Sequence, residues 1–139
     1  MEFSADLITY RGIYKKINTT KLNVPCIDGR RTILSNHMPI ILPLDNGVIE
    51  TNEDNKLKHY AVSEGMLYFE DNKAKIVCDV IEDIENVDIA YYEKRLKEAN
   101  EQLNVARTDI DIKKATIKLT RAANIINATK NSGTKWQDN

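Results

Sequence analysis

The sequence holds only two cysteines, Cys26 and Cys78. Two are too few for a disulfide framework, so both are expected to be free thiols packed as small hydrophobes in a reducing compartment. The sharper alternative is a zinc site from Cys26, Cys78, His37 and His59. No pair among them has the C-x2-C or H-x3-H spacing that such sites use. Long apolar runs are also missing. The longest, Met38 to Leu44, has seven residues and two prolines, against the ~20 that a spanning helix needs. The start, Met1-Glu2-Phe3-Ser4-Ala5-Asp6, lacks the basic and apolar regions of an export signal, and no export is expected. An excess of charge is missing too. Twenty basic and 21 acidic side chains leave a net charge of −1, which argues against nucleic-acid binding. There is no phosphate-binding loop, no G-x-G-x-x-G and no G-x-S-x-G. His37 and His59 are the only imidazoles, and no nucleophile, cofactor site or metal site can be argued around them. The chain reads as a non-enzyme.

What is present divides in two. All three prolines and four of the five glycines lie before residue 66. They punctuate short segments rich in Val, Ile, Tyr and Thr. Candidate strands are Phe3–Thr9, Tyr14–Val24, Arg31–Leu34, Ile40–Leu44, Val48–Thr51, Lys56–Ser63, Met66–Glu70 and Lys73–Ile81. In the last, Ala74, Ile76, Cys78 and Val80 share one face. Asp45-Asn46-Gly47 and Asp71-Asn72-Lys73 read as turns that exploit positive φ. This pattern predicts a β-sandwich over residues 1–85.

After Glu85 the period changes. Ile89, Tyr92, Leu96, Ala99, Leu103 and Ala106 recur at helical steps. Asp88 is the expected N-cap, with Asn86 the alternative. Ile112, Ala115, Leu119, Ala122, Ile126 and Thr129 repeat the pattern, with Asp109 or Asp111 as the expected cap. Two helices with narrow, alanine-bearing seams and a short connection predict an antiparallel hairpin over 86–130. A polar tail, 131–139, follows and is expected to be mobile; its Trp136 has no periodic context.

Charge is divided as well. Residues 1–85 carry −4 and residues 86–139 carry +3. From Ile112 to Lys130 there are five basic side chains and no acid. A helix without opposite-sign i,i+4 partners reads as half of an electrostatic contact with an acidic partner, beside the plainer reading of a solvated face.

The most informative stretch runs from Gly29 to Ile49. Its Gly29, Ile33, Asn36, His37, Pro39, Ile40, Leu44, Gly47 and Ile49 resemble a block of the epsilon subunit of bacterial and chloroplast ATP synthase, the equivalent of the mitochondrial delta subunit. Tyr60 to Leu67, Val87-Asp88 and Asp109-Ile110-Asp111 match further parts of that family in order, over about residues 3–130. The resemblance implies a ten-stranded β-sandwich and a two-helix hairpin, in a non-catalytic rotor subunit of the central stalk. It implies that the sandwich binds the gamma subunit and rests on the ring of c subunits. The hairpin packs down on the sandwich, or extends toward the alpha and beta subunits and brakes ATP hydrolysis. Carried onto this chain, Ser35, Asn36, His37 and Met38 would lie near gamma, with His37 read either as structural or as a contact. Asp28, Gly29, Arg30 and Arg31 would approach the c ring, with two arginines where many relatives have acidic or small residues. Lys113, Lys114, Lys118 and Arg121 would face beta. Location would be peripheral, on the cytoplasmic face of the bacterial plasma membrane, with membrane association only through the complex. Some bacterial relatives bind ATP through [IL]-D-x-x-R-A. Here Asp88 matches, but Tyr91 and Tyr92 replace the Arg and Ala, and tyrosine supplies no permanent charge for phosphate. No cofactor is expected. A different class of reading is a stand-alone adaptor whose basic helix binds an acidic protein or an anionic lipid.

Overall fold

A computed structural model describes residues 1–131. Most of the expected tail, including Trp136, lies outside the described residues. Asn131 ends the last helix. Ten strands come first: β1 (Phe3–Thr9), β2 (Gly12–Thr19), β3 (Lys21–Cys26), β4 (Gly29–Leu34), β5 (Ile40–Leu44), β6 (Gly47–Glu53), β7 (Lys56–Val62), β8 (Gly65–Glu70), β9 (Lys73–Cys78) and β10 (Ile81–Asp83). A single 3-10 turn, Ile84–Asn86, leads to α1 (Ile89–Val105) and α2 (Asp109–Asn131). The chain divides into two compact units, the first ending at Asp83 and the second beginning at Ile84.

The first unit is a β-sandwich. One layer runs β10-β7-β6-β3, with β4 beyond β3, and the other runs β5-β8-β9-β1-β2. The corner strand is β3. Its start pairs with β6, Leu22 opposite Thr51, and its end pairs with β5, Cys26 opposite Leu44. Alternate residues point inward and meet in one core that includes Phe3, Leu7, Leu22, Val24, Ile49, Tyr60, Leu67, Phe69 and Ile76. Fully burying such side chains is worth ~1.5–3 kcal/mol each. Neither cysteine is in a disulfide, and both are buried in this core.

Two expected strands are each broken in two. Tyr14–Val24 splits at Thr20. There the buried Thr19 hydroxyl accepts from the amides of Lys21 and Asn52 and donates to the Lys21 carbonyl. A threonine that replaces ladder bonds with its own hydroxyl turns the corner without Gly or Pro. Lys73–Ile81 splits at Asp79-Val80, where the chain crosses between layers. The Ser63 amide donates to the Val80 carbonyl at 3.0 Å, and the Val80 amide donates to the Ser63 hydroxyl at 3.1 Å. Ala74, Ile76 and Cys78 are buried as expected, whereas Val80 is only half-buried and outside β9.

The turns also differ from expectation in part. Asp71 and Asn72 have positive φ, as do Asp54 and Asn55 in a turn that the sequence reading passed over. Asp45-Asn46-Gly47 does not. Gly47 is required by space instead, because a Cβ there would fall 2.8 Å from the Cβ of Pro25.

The second unit is the predicted helical hairpin. Asp88 is the N-cap of α1, its carboxylate accepting from the Tyr91 amide at 3.3 Å. Asn86 lies in the preceding 3-10 turn. The cap of α2 is neither Asp109 nor Asp111 but Thr108, whose hydroxyl accepts from the Asp111 amide at 3.1 Å. Both aspartates sit in the first turn of α2, where their charge favours the positive end of the helix dipole. Every seam residue expected on α1 is buried or half-buried. On α2 the same holds for Ala115, Leu119, Ala122, Ile126 and Thr129, while Ile112 stays 40% exposed. The small Ala99, Ala115 and Ala122 are buried and permit close approach of the two helices. Among the described residues no helix is long and apolar enough to cross a membrane.

Candidate functional site

The turn 35–38 is braced from another part of the sandwich. Asn36 has φ +66°, a left-handed conformation that asparagine tolerates better than most residues. Its amide donates to the Asn72 side-chain carbonyl at 2.6 Å. The Asn72 side-chain amide donates in turn to the Asn36 side-chain Oδ1 at 3.0 Å and to the Ser35 hydroxyl at 3.3 Å. Sequence reading marked Asn72 only as a turn residue, and nothing in the sequence links it to a site 36 positions away. Replacing Asn72 with glycine keeps its backbone accessible and removes the brace. We expect a loss of about 1 kcal/mol in stability and faster hydrogen exchange at the Asn36 amide, measured by NMR.

His37 is half-buried beside Phe69, the rings edge to face at 6.0 Å. Its Nδ1 lies 2.7 Å from the Met38 carbonyl oxygen. A carbonyl only accepts, so Nδ1 carries the proton and Nε2 is the acceptor. Met38 projects from the turn, 70% exposed.

The hairpin loop from Cys26 to Arg31 presents less charge than its sequence suggests. The Arg31 guanidinium pairs with Asp28 at 3.0 Å. Arg30 folds back over the sheet, its Nη2 donating to the Val48 carbonyl at 2.7 Å and its Nε to the Asn23 side chain. Burial lowers the Arg30 pKa from its ordinary value. Ile27, 72% exposed, projects at the tip beside the exposed Asp28 side chain, ahead of Gly29 at φ +122°.

A larger feature was missed in the sequence. On the outer face of the β5-β8-β9-β1-β2 layer, strand register aligns Pro43, Met66, Val77, Ile8 and Ile13 in one row. All five are apolar, and all are exposed or half-buried. At ~4.8 Å between strands the row is about 19 Å wide. Ile41 and Tyr68, opposite each other in the next row, extend it along β5 toward Pro39 and Met38. The rest of that next row is charged: Lys75, Asp6 and Lys16. A continuous apolar surface bordered by charge is the signature of a protein-binding face.

On α2, Lys113, Lys114 and Lys118 are exposed, whereas Arg121 is half-buried. Ile110 and Ile117, one and two turns apart from these lysines on the same face, are also exposed. Among the described residues, no three metal-ligating side chains cluster.

Residues 2–84 match the family model described as the ATP synthase, Delta/Epsilon chain, beta-sandwich domain. The chain is similar to the ATP synthase epsilon chain of Lactobacillus gasseri, 32% identical with 91% of this chain and 92% of that one covered. It is likewise similar to the ATP synthase epsilon chain of a Hydrogenobaculum species, at 30% identity with 94% and 95% covered. The chain belongs to the ATP synthase epsilon family. Solved structures give the same fold at low identity. A chain of the Euglena gracilis mitochondrial ATP synthase matches at TM-score 0.71 and 18% identity, covering 91% of this chain and 81% of that one. A chain of the Tetrahymena thermophila mitochondrial ATP synthase central stalk and c-ring matches at 0.63 and 14%, covering 93% and 97%.

At the hairpin start, where the resemblance places the ATP motif of some bacterial relatives, the side chains have local partners. The Asp88 carboxylate is committed to capping α1. Tyr91, at the Arg position, instead accepts a hydrogen bond from Arg95 at 2.8 Å, with the guanidinium over its ring. Arg95 is a cation that this arrangement brings to the position, and the sequence motif does not include it. We expect isothermal titration of the full chain with ATP to show no micromolar binding.

Proposed function

We propose that this chain is a central-stalk subunit of a rotary ATP synthase. It links a gamma-type subunit to the c ring and regulates ATP hydrolysis through its helical hairpin. The observation that carries the reading is the apolar row on the outer sheet face, continuous with the braced turn 35–38. Together they form a contact surface for a large, apolar partner, as gamma would be. In this reading His37 offers Nε2 to a donor on gamma, and Met38, Ile41 and Tyr68 pack beside it. The loop 26–31 rests on the c ring through Ile27, with Asp28 and Arg31 already paired at its flank. Lys113, Lys114 and Lys118 are the basic contacts toward an acidic surface of the catalytic head when the hairpin extends.

The subunit does no chemistry of its own in this reading. Its location is peripheral to the membrane, on the cytoplasmic face of a bacterial plasma membrane, through the complex alone. Co-expression with a gamma-type subunit tests the assignment. A stable complex on size-exclusion chromatography is expected. A chain that stays alone, or that binds anionic liposomes by itself, refutes it in favour of an adaptor.

A further inference from the structure

The last residue of the sandwich is held in a polar cluster that joins both layers. The Asp83 amide donates to the Tyr14 hydroxyl on β2 at 3.1 Å. The Asp83 carboxylate, its side chain 5% exposed, pairs with Lys58 on β7 at 3.0 Å. Beside this pair, Lys15 donates to the buried Tyr60 hydroxyl at 3.0 Å, and that hydroxyl donates to Glu53 at 2.8 Å. Lys15 and Lys58 both lie over the Tyr60 ring. Burial and the Glu53 hydrogen bond push the Tyr60 pKa up, so its proton stays in the cluster.

This construction is heavy for the element it secures. β10 has three residues and pairs only with β7. Upstream of Asp83, Ile81 is buried in the core, and Val80 is tied to Ser63. Immediately downstream, the chain leaves the sandwich and the second unit begins at Ile84.

We propose that the Tyr14–Asp83–Lys58 clamp fixes the exit point of the helical unit, and that regulation by the hairpin depends on this fixed exit. With the clamp closed, residues 84–88 alone connect Asp83 to the first turn of α1. With it open, β10 peels back to the buried Ile81, and Glu82 and Asp83 join the connection. At ~3.3 Å per residue that adds about 7 Å of reach. A longer, looser tether lowers the effective concentration of the hairpin at whichever surface it docks on. The inference rests on the regulatory reading given above.

The test uses the full chain, free and assembled with the rest of the synthase. Tyr14→Phe keeps the ring and removes only the acceptor for the Asp83 amide. It is expected to speed exchange at that amide at least tenfold, with the core amides of Leu67 and Ile76 unchanged. In the assembled complex, Tyr14→Phe and Lys58→Met are expected to weaken inhibition of ATP hydrolysis at least twofold, and Lys58→Arg to keep it. Unchanged exchange in Tyr14→Phe overturns the clamp. Faster exchange with wild-type inhibition overturns its regulatory role and leaves the subunit assignment standing. A wild-type chain that does not inhibit at all overturns the regulatory reading itself, and the inference with it.

Discussion

Val77→Lys is expected to weaken binding of a gamma-type subunit by a factor of about 30 or more while leaving the chain folded. Val77 is 40% exposed at the centre of the five-strand apolar row, between Met66 and Ile8. Its side chain points away from the core, on the face of β9 that also carries Lys73 and Lys75. The free protein can therefore solvate a new ammonium group there. In the complex the same group would be buried against apolar neighbours without a partner, which is costly. Central interface residues are worth ~2–4 kcal/mol, so the dissociation constant should rise about 30- to 1,000-fold. Lys75→Ala, one row away on the same strand, serves as the control and should change affinity little. The measurement is a pull-down followed by titration, with the thermal midpoint recorded for each variant. Wild-type affinity in a folded Val77→Lys chain would remove the outer face from the interface.

Reversing the three exposed lysines of α2 should have the second large effect. A chain with Lys113→Glu, Lys114→Glu and Lys118→Glu is expected to lose most of its inhibition of ATP hydrolysis once assembled. Each exposed pair is worth only ~0–1 kcal/mol. Reversal replaces three attractions by three repulsions, so the total shift reaches a few kcal/mol. That is enough to move a two-state hairpin from mostly extended to mostly withdrawn. Inhibition by the wild-type chain should also weaken with salt, since the Debye length is ~8 Å at physiological ionic strength. Arg121 is left out of this variant because it is half-buried, and replacing it would confound packing with charge. Unchanged hydrolysis in a complex shown to contain the variant would sink the electrostatic contact.

Local patterns in the sequence had local causes, and those were legible. The helical seams follow from a period that fits a single element, and the burial of Ala99, Ala115 and Ala122 repeats it residue by residue. The positive φ of Asp71 and Asn72 was readable because few residue types tolerate that conformation. The α2 cap was misplaced by one residue because threonine and aspartate compete for that role over Thr108-Asp109. The strand break at Thr20 was hidden for a related reason. A buried hydroxyl makes that corner with neither Gly nor Pro, and only a one-residue shift of the inward positions, from Ile17 and Thr19 to Leu22 and Val24, marks it.

The proposed binding surfaces divide along the same line. By itself the sequence determined a strand-rich first part, a helical hairpin with a basic second helix, and the family that this order of motifs resembles. These depend on residue type and on spacings within one element. Only the tertiary structure decided that Pro43, Met66, Val77, Ile8 and Ile13 form one row, because strand register sets which distant residues are neighbours. It also decided that Asn72 braces Asn36 and that Asp83 is clamped by Tyr14 and Lys58. The loop arginines show the same limit: their charges are fixed by sequence, but whether a guanidinium projects or folds back depends on the acceptors that packing places within reach.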